Sequence, residues 1–306
     1  MAAARSQLPD ASEVFLDHVA WFAPDMAAAE HCFTRLGFTL TPFTPQSNAG
    51  PHGPIAAGTG NRCAMLGAGY LEILTSVPGP ETELSRQLIA ALGRYTGIHL
   101  VAFATADTGA EGRRLQRQGF DPLPAVDLRR PVKGAEQDAE AAFTVLRLAP
   151  GAMAEGRIQF LTHHTPDLVW QRRFMAAKNA VTGLTGVLFA VDDMAGAARR
   201  YGCFTGRAPD IAGDTGVITL DRGCLIFAGP ERCRSLVPGI EIPAMPFIAA
   251  VLLESRNISL TQEFLEGRGV DVHGLGAGAM LVPATEAMGA SLVIHHPGWL
   301  WPGLGP

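Results

Sequence analysis

The sequence predicts an α+β protein of four strand–helix–strand–strand–strand units, paired into two cupped half-barrel sheets with the helices outside. Two observations carry this. An alternating apolar stretch that leads into an amphipathic helix recurs four times, with starts near residues 15, 98, 184 and 247. Each helix is followed by Gly/Pro-rich connections and short alternating segments. Three or four strands with one helix cannot close a core alone, so the units should pair, and the concave side of a pair is where a ligand would sit.

The first unit opens with Leu16-Asp17-His18-Val19-Ala20-Trp21 and reaches Asp25, which can cap a helix running from Ala27 to Leu36 and stopping at Gly37-Phe38. The second opens at Ile98-His99-Leu100-Val101 and passes through Asp107 to a helix ending at Gly119-Phe120. The third passes through Asp192-Asp193 to a helix ending near Tyr201-Gly202, and the fourth leads from Phe247–Leu253 into Ser259 to Gly269. The last strands of the four units are expected at Tyr70–Leu74, Arg157–Leu161, Cys224–Phe227 and Ser291–His295. The pattern divides the chain into an N-terminal domain at 13–165 (units 13–75 and 97–165), a linker at 166–183, and a C-terminal domain at 184–298 (units 184–228 and 246–296).

Bulk properties narrow the function classes. With 306 residues, 47% hydrophobic and 17% charged, the chain is globular and long enough for about two domains. A formal net charge of -5 without a long basic run argues against nucleic acid as a partner. Five scattered cysteines without Cys-x-x-Cys spacing form neither a disulfide framework nor a zinc-thiolate site. The N-terminus lacks a signal-peptide core. The longest apolar run, Ala244 to Leu253, is interrupted by Pro246 and falls far short of the roughly 20 residues a membrane span needs. The expected protein is cytoplasmic, off the membrane, a monomer or homodimer, and binds a small molecule.

Glu72, in Tyr70-Leu71-Glu72-Ile73-Leu74, is a carboxylate in an otherwise apolar strand. Such a group is costly unless it is paired, hydrogen-bonded or bound to a cation. With His18 it is either a coincidence or half of a metal site. Asn61 and Arg62 could offer an amide and a guanidinium to an anionic substrate or simply bond within a loop; Arg129, Arg130 and Arg147 could bind a carboxylate or face solvent. His52, in the long segment from Thr41 to Asn61, could sit on a lid. His163 and His164 suit packing as well as a site.

The repeated unit, with Leu16-Asp17-His18-Val19, Gly60-Asn61-Arg62, Tyr70-Leu71-Glu72-Ile73, Gly97–Phe103 and His163–Trp170, resembles the vicinal oxygen chelate superfamily. Within that superfamily it resembles glyoxalase-like domain proteins of bacteria. The likeness is good over residues 15–180 and weak beyond. It implies metal ligands on the first and last strands of a unit pair: His18 and Glu72, then His99, with Gln159 opposite Glu72. Two imidazoles, a carboxylate and an amide oxygen would suit Zn²⁺, Ni²⁺, Mn²⁺ or Fe²⁺. His18 precedes its Asp by seven residues and His99 by eight, so His99 needs a bulge to face the same way. The matching C-terminal positions are Gly186, Ile226, Ala250 and Val293 or Ile294, which implies a metal-free second cup, while His295 and His296 fall past the last strand.

Three functions stay open on this reading. A metal-dependent glyoxalase-like lyase or isomerase would use Glu72 to move a proton between adjacent carbons. An Fe(II) extradiol-type dioxygenase would use two His and one Glu. A non-catalytic protein of the bleomycin-resistance type would sequester its ligand in an apolar cup. Convergence of His18, His99 and Glu72 separates them.

Overall fold

The first strand of every unit is apolar at nearly every position, because one face meets helices and the other meets the inside of a cup. The fold is that of a computed structural model describing residues 7–48, 55–133, 138–175, 178–276, 278–299 and 301. The first unit is β1 (Phe15–Phe22), α1 (Met26–Arg35), β2 (Thr44–Asn48), β3 (Ile55–Met65) and β4 (Tyr70–Ser76). Helix α2 (Glu83–Leu92) leads to the second, β5 (Gly97–Ala104), α3 (Thr108–Arg117), β6 (Val126–Lys133), β7 (Asp138–Arg147) and β8 (Arg157–His163). A short α4 (Pro166–Val169) precedes β9 (Val181–Ala190), α5 (Met194–Thr205), β10 (Asp210–Ala212), β11 (Thr215–Thr219) and β12 (Cys224–Ala228). After α6 (Pro230–Leu236) come β13 (Phe247–Ser255), α7 (Ile258–Glu266), β14 (His273–Gly274), β15 (Ala279–Val282) and β16 (Ser291–His295).

The helix signals read from the sequence hold with one change. Asp25, Asp107 and Asp193 each accept hydrogen bonds from first-turn amides, and Asn257 does the same for α7. Helix α5 runs past Gly202 to Thr205, because the left-handed stop is Gly206, at φ 70°. The segment from Thr41 to Asn61 is mostly sheet rather than loop: β2 and the first half of β3 pair across it. His52 lies outside the described residues. His295 is the last residue of β16, buried, with its Nε2 at 2.7 Å from Thr185 Oγ1, rather than past the strand.

The first two units share one eight-stranded sheet, ordered β2-β3-β4-β1-β5-β8-β7-β6, and the last two share β10-β11-β12-β9-β13-β16-β15-β14. Within each unit the first and last strands run parallel; between units the two first strands run antiparallel. One β5–β13 register pair, Ile98 with Ile248, joins the sheets, and isolated bridges from Phe15 to Arg222 and from Ala68 to Gly183 link the two halves as well. The convex faces and their helices form one continuous core, in which Phe204 of α5 stacks on Phe160 of the first sheet at 4.7 Å. The concave faces carry separate clusters: Ala20, Phe22, Leu100 and Leu161 in the first cup, Leu188, Ile226, Ala250 and Val293 in the second.

The cups differ in what fills them. The first encloses a cavity of about 600 Å³, within the size range of small-molecule sites. Into the second are packed α6, Ile240, Trp299 and Trp301. The five cysteines are all free, and among the described residues no helix is long and apolar enough to cross a membrane.

Each first strand is bulged where the last strand enters beside it. In the β1–β5 ladder the pairing skips Asp17 on one strand and His99 on the other; the β9–β13 ladder skips Thr185 and Ala249. Gly69 (φ 72°) and Gly156 (φ 150°) lie against these bulges, where a β-carbon would come within 2.6 Å of the Asp17 carbonyl and 2.7 Å of the His99 carbonyl. Gly69→Ala is therefore expected to cost about 2 kcal/mol or more. The reading is a lower urea midpoint at unchanged slope, and an unchanged midpoint would show that the turn needs no glycine.

Candidate functional site in the N-terminal cup

The period of two along β1 turns His18, Ala20 and Phe22 into the cup and Val19 and Trp21 toward the helices. On β4 the same rule presents Tyr70, Glu72 and Leu74 to the cavity, and on β3 it presents Asn61 and Cys63. Glu72 is 7% exposed and well partnered. Its Oε1 accepts hydrogen bonds from Asn61 Nδ2 at 2.6 Å and Gln46 Nε2 at 3.4 Å, and its Oε2 faces His18 Nε2 at 3.6 Å. Thr59 in turn donates to Gln46 Oε1 at 2.7 Å. One carboxylate oxygen is thus clamped by amides while the other is left for the cavity.

His18 is oriented from behind. Its Nδ1 donates to Asp17 Oδ2 at 2.7 Å, and its ring stacks on Tyr70 at 4.3 Å. The bulge at Asp17 allows two consecutive residues to serve one site. Asp17 is fully buried, and its Oδ1 also accepts from His163 Nε2 at 3.0 Å. Burial alone would raise the Asp17 carboxyl; the adjacent His163 and the hydrogen bonds from His163 and His18 outweigh it and hold the group well below the usual carboxylate range. Burial also pushes the Tyr70 phenol well up, with Asp17 and Glu72 adding to the effect. His164, by contrast, bonds Thr144 on an exposed edge.

His99 does not join the set. The strand register pairs Leu100 with Arg157 as it pairs His18 with Tyr70, so Leu100 takes the place equivalent to His18 and lines the cavity. A bulge is present at His99, but β1 carries the equivalent one at Asp17, so the offset is not restored: His99 matches Asp17. It stacks on Tyr95 at 4.0 Å with Nε2 at 2.8 Å from the Tyr95 carbonyl oxygen. Burial pulls its imidazole down to about 4, against the opposing pull of that hydrogen bond. Gln159 does stand opposite Glu72, and Arg147 pairs with it across β7–β8.

Arg130 and Arg147 line the cavity, and Arg157 and Arg173 join them although the sequence singled out neither as a site residue. Arg62 does not, since it alternates with Asn61 and Cys63; it turns outward to Glu30 at 3.1 Å and to the Thr41 carbonyl. Arg129 pairs with Glu140 at the exposed edge. The Arg130 guanidinium donates to the Ser47 carbonyl of β2 and so ties together the two outer strands of the cup.

The donor set does not fit a divalent ion held as the resemblance implied. Of four ligand positions one is Leu100 and one an amide, and among the described residues no three His, Cys, Asp or Glu side chains are placed to hold a metal. Four guanidiniums, of Arg130, Arg147, Arg157 and Arg173, against the one carboxylate of Glu72 also give the cavity an excess of positive charge, which opposes a cation. The two-His-one-carboxylate arrangement fails for the same reason, since its second His is outside.

Comparisons agree with the architecture. The profile of the glyoxalase-like domain family matches residues 16–203, running past residues 166–183 into α5. No curated protein matches the sequence. Among solved structures, a hypothetical protein from Staphylococcus aureus aligns at TM-score 0.63 and 9% identity, over 92% of this chain and 99% of that one. A mutant 4-hydroxymandelate synthase from Streptomyces coelicolor aligns at 0.52 and 15% identity, over 93% of each chain. A xylose isomerase-like TIM barrel/4-hydroxyphenylpyruvate dioxygenase fusion protein aligns at 0.58 and 11% identity, over 98% of this chain and 52% of that one. At these identities the likeness is one of fold.

Asp17→Asn is expected to lower stability at pH 7 by about 2–4 kcal/mol, because it weakens two buried bonds to imidazoles. The Asp17 carboxyl is depressed in the folded state, so its contribution is complete above about pH 4 and is lost as pH falls below the unfolded value near 3.9. Urea titrations of wild type and variant should therefore begin to converge below about pH 4 and go on converging as the pH falls further. A gap independent of pH would show that the charge of Asp17 is not what the variant removes.

Proposed function

Because the chain belongs to the glyoxalase-like domain family, within the vicinal oxygen chelate superfamily, we propose that its N-terminal cup binds a small organic molecule and moves a proton within it, as an isomerase or lyase does. The observation that carries this reading is the state of Glu72. Its Oε1 is fixed by Asn61 and Gln46, while Oε2 faces a cavity of about 600 Å³ and lies 3.6 Å from His18 Nε2. A carboxylate oriented in this way is suited to act as a general base on a carbon acid.

The surrounding residues have separate tasks. Asn61 keeps the carboxylate from rotating. Asp17 binds His18 Nδ1 and so presents Nε2 to the same volume, where the imidazole can exchange a proton with an oxygen of the ligand. Leu74, Leu100 and Leu161 keep water away and take up the apolar part of the ligand. Members of the superfamily are generally metal-dependent; with Leu100 and the four arginines present, no step here is assigned to a metal.

The apolar walls also favour a second reading, sequestration without chemistry, and one experiment separates the two. Small carbon acids are incubated with the protein in D₂O, and deuterium entry at carbon is followed by NMR. Exchange that falls about a hundredfold or more in Glu72→Gln supports the enzyme. Compounds that bind without exchange leave sequestration. A stoichiometric metal in the purified protein that disappears in both His18→Ala and Glu72→Ala would overturn the metal-free site.

A further inference from the structure

The geometry points to an organic anion as the occupant of the cup: an oxyanion headgroup on an apolar body, with the headgroup on Arg147 beside Arg157 and Arg130. This rests on the cup being the ligand site proposed above. Elsewhere in the fold Arg35, Arg62, Arg114, Arg200 and Arg207 each pair with a carboxylate. Among the described residues, Arg130, Arg147 and Arg157 of the cavity form no such pair. Arg157 donates to the neutral Gln87 Oε1 at 3.1 Å and lies over the Phe22 ring. Arg130 bonds backbone carbonyls and lies over Phe143. Arg147 has neither an ion pair nor a hydrogen bond among the described residues, and its Nε is buried without a partner. Glu72 faces all three, but its Oε1 is already taken by Asn61.

A half-buried guanidinium without a counter-ion is costly, and an oxyanion supplied by the ligand removes that cost. Burial lowers all three groups, Arg157 to about 10, with Arg147 adding to the effect on Arg157 and Arg130; a bound anion would reverse both influences. Phe43, Met65, Val169 and Phe174 also line the cavity, beside Arg173, and give the rest of the ligand an apolar seat.

The test uses full-length protein and isothermal titration with four probes: phenylacetate, phenyl phosphate, phenylacetamide and inorganic phosphate. At least one of the two aryl anions should bind about ten- to a hundredfold tighter than the neutral amide, with the preference shrinking as salt rises. Which aryl anion binds separates a carboxylate headgroup from a phosphate one, and inorganic phosphate should bind more weakly than phenyl phosphate. Arg147→Ala should bring the anions to the level of the amide, and Arg147→Lys should recover part of the preference. Equal binding of anion and amide, no binding of either aryl anion, or an Arg147→Ala variant of unchanged melting temperature that keeps the preference would each overturn the inference. Glu72→Gln should hold or strengthen anion binding while abolishing exchange. Lost exchange with retained anion preference therefore upholds this inference, whereas exchange without anion preference upholds only the proton transfer.

Discussion

A carboxylate sealed from water sets the geometry of the cup. Asp17 accepts hydrogen bonds from His18 on β1 and His163 at the end of β8, the first and last strands of two different units. That link fixes the first unit against the second and turns His18 Nε2 toward Glu72. It requires the bulge at Asp17, since in a regular strand successive side chains point to opposite faces. The bulge in turn requires a glycine beside it, which Gly69 supplies. Backbone irregularity, buried charge and site orientation are therefore one feature seen at three levels.

From this frame the two cups diverge through a few side chains. Register places His18, Leu100, Gly186 and Ala250 at one equivalent position, and Glu72, Gln159, Ile226 and Val293 at another. The first cup keeps polar groups at three of its four places, the second at none. The second cup buries its apolar lining under α6 and the two tryptophans near the C-terminus, as an apolar concave surface must if it is not to face water.

Much of this was legible in the chain. Asp25, Asp107 and Asp193 marked three helix starts because an N-cap has a local chemical signature. Counting seven residues back from each, and from Asn257, lands on His18, Leu100, Gly186 and Ala250, so the mismatch at His99 was visible as an offset of one. A bulge at His99 does not restore its direction, because all four first strands carry one. Other misses had no local signal. Arg157 and Gln46 become cavity residues only through the pairing of distant strands, and His163 finds Asp17 across 146 residues of chain. Helices α2 and α6 lie in connections where apolar periodicity is short, and the Pro- and Gly-containing stretch from Thr41 to Asn61 concealed two paired strands.

The shared core behind the cups has a consequence for cooperativity. Helix α5 comes from the third unit, yet Phe204 packs on Phe103 and Phe160 of the first sheet, while Trp21 of β1 donates its indole hydrogen to the Ala287 carbonyl near the end of the chain. Neither half can shed its convex face without exposing part of the other. The two sheets are therefore expected to melt as one thermodynamic unit, with energy gained by filling the first cup shared with strands that never touch the ligand.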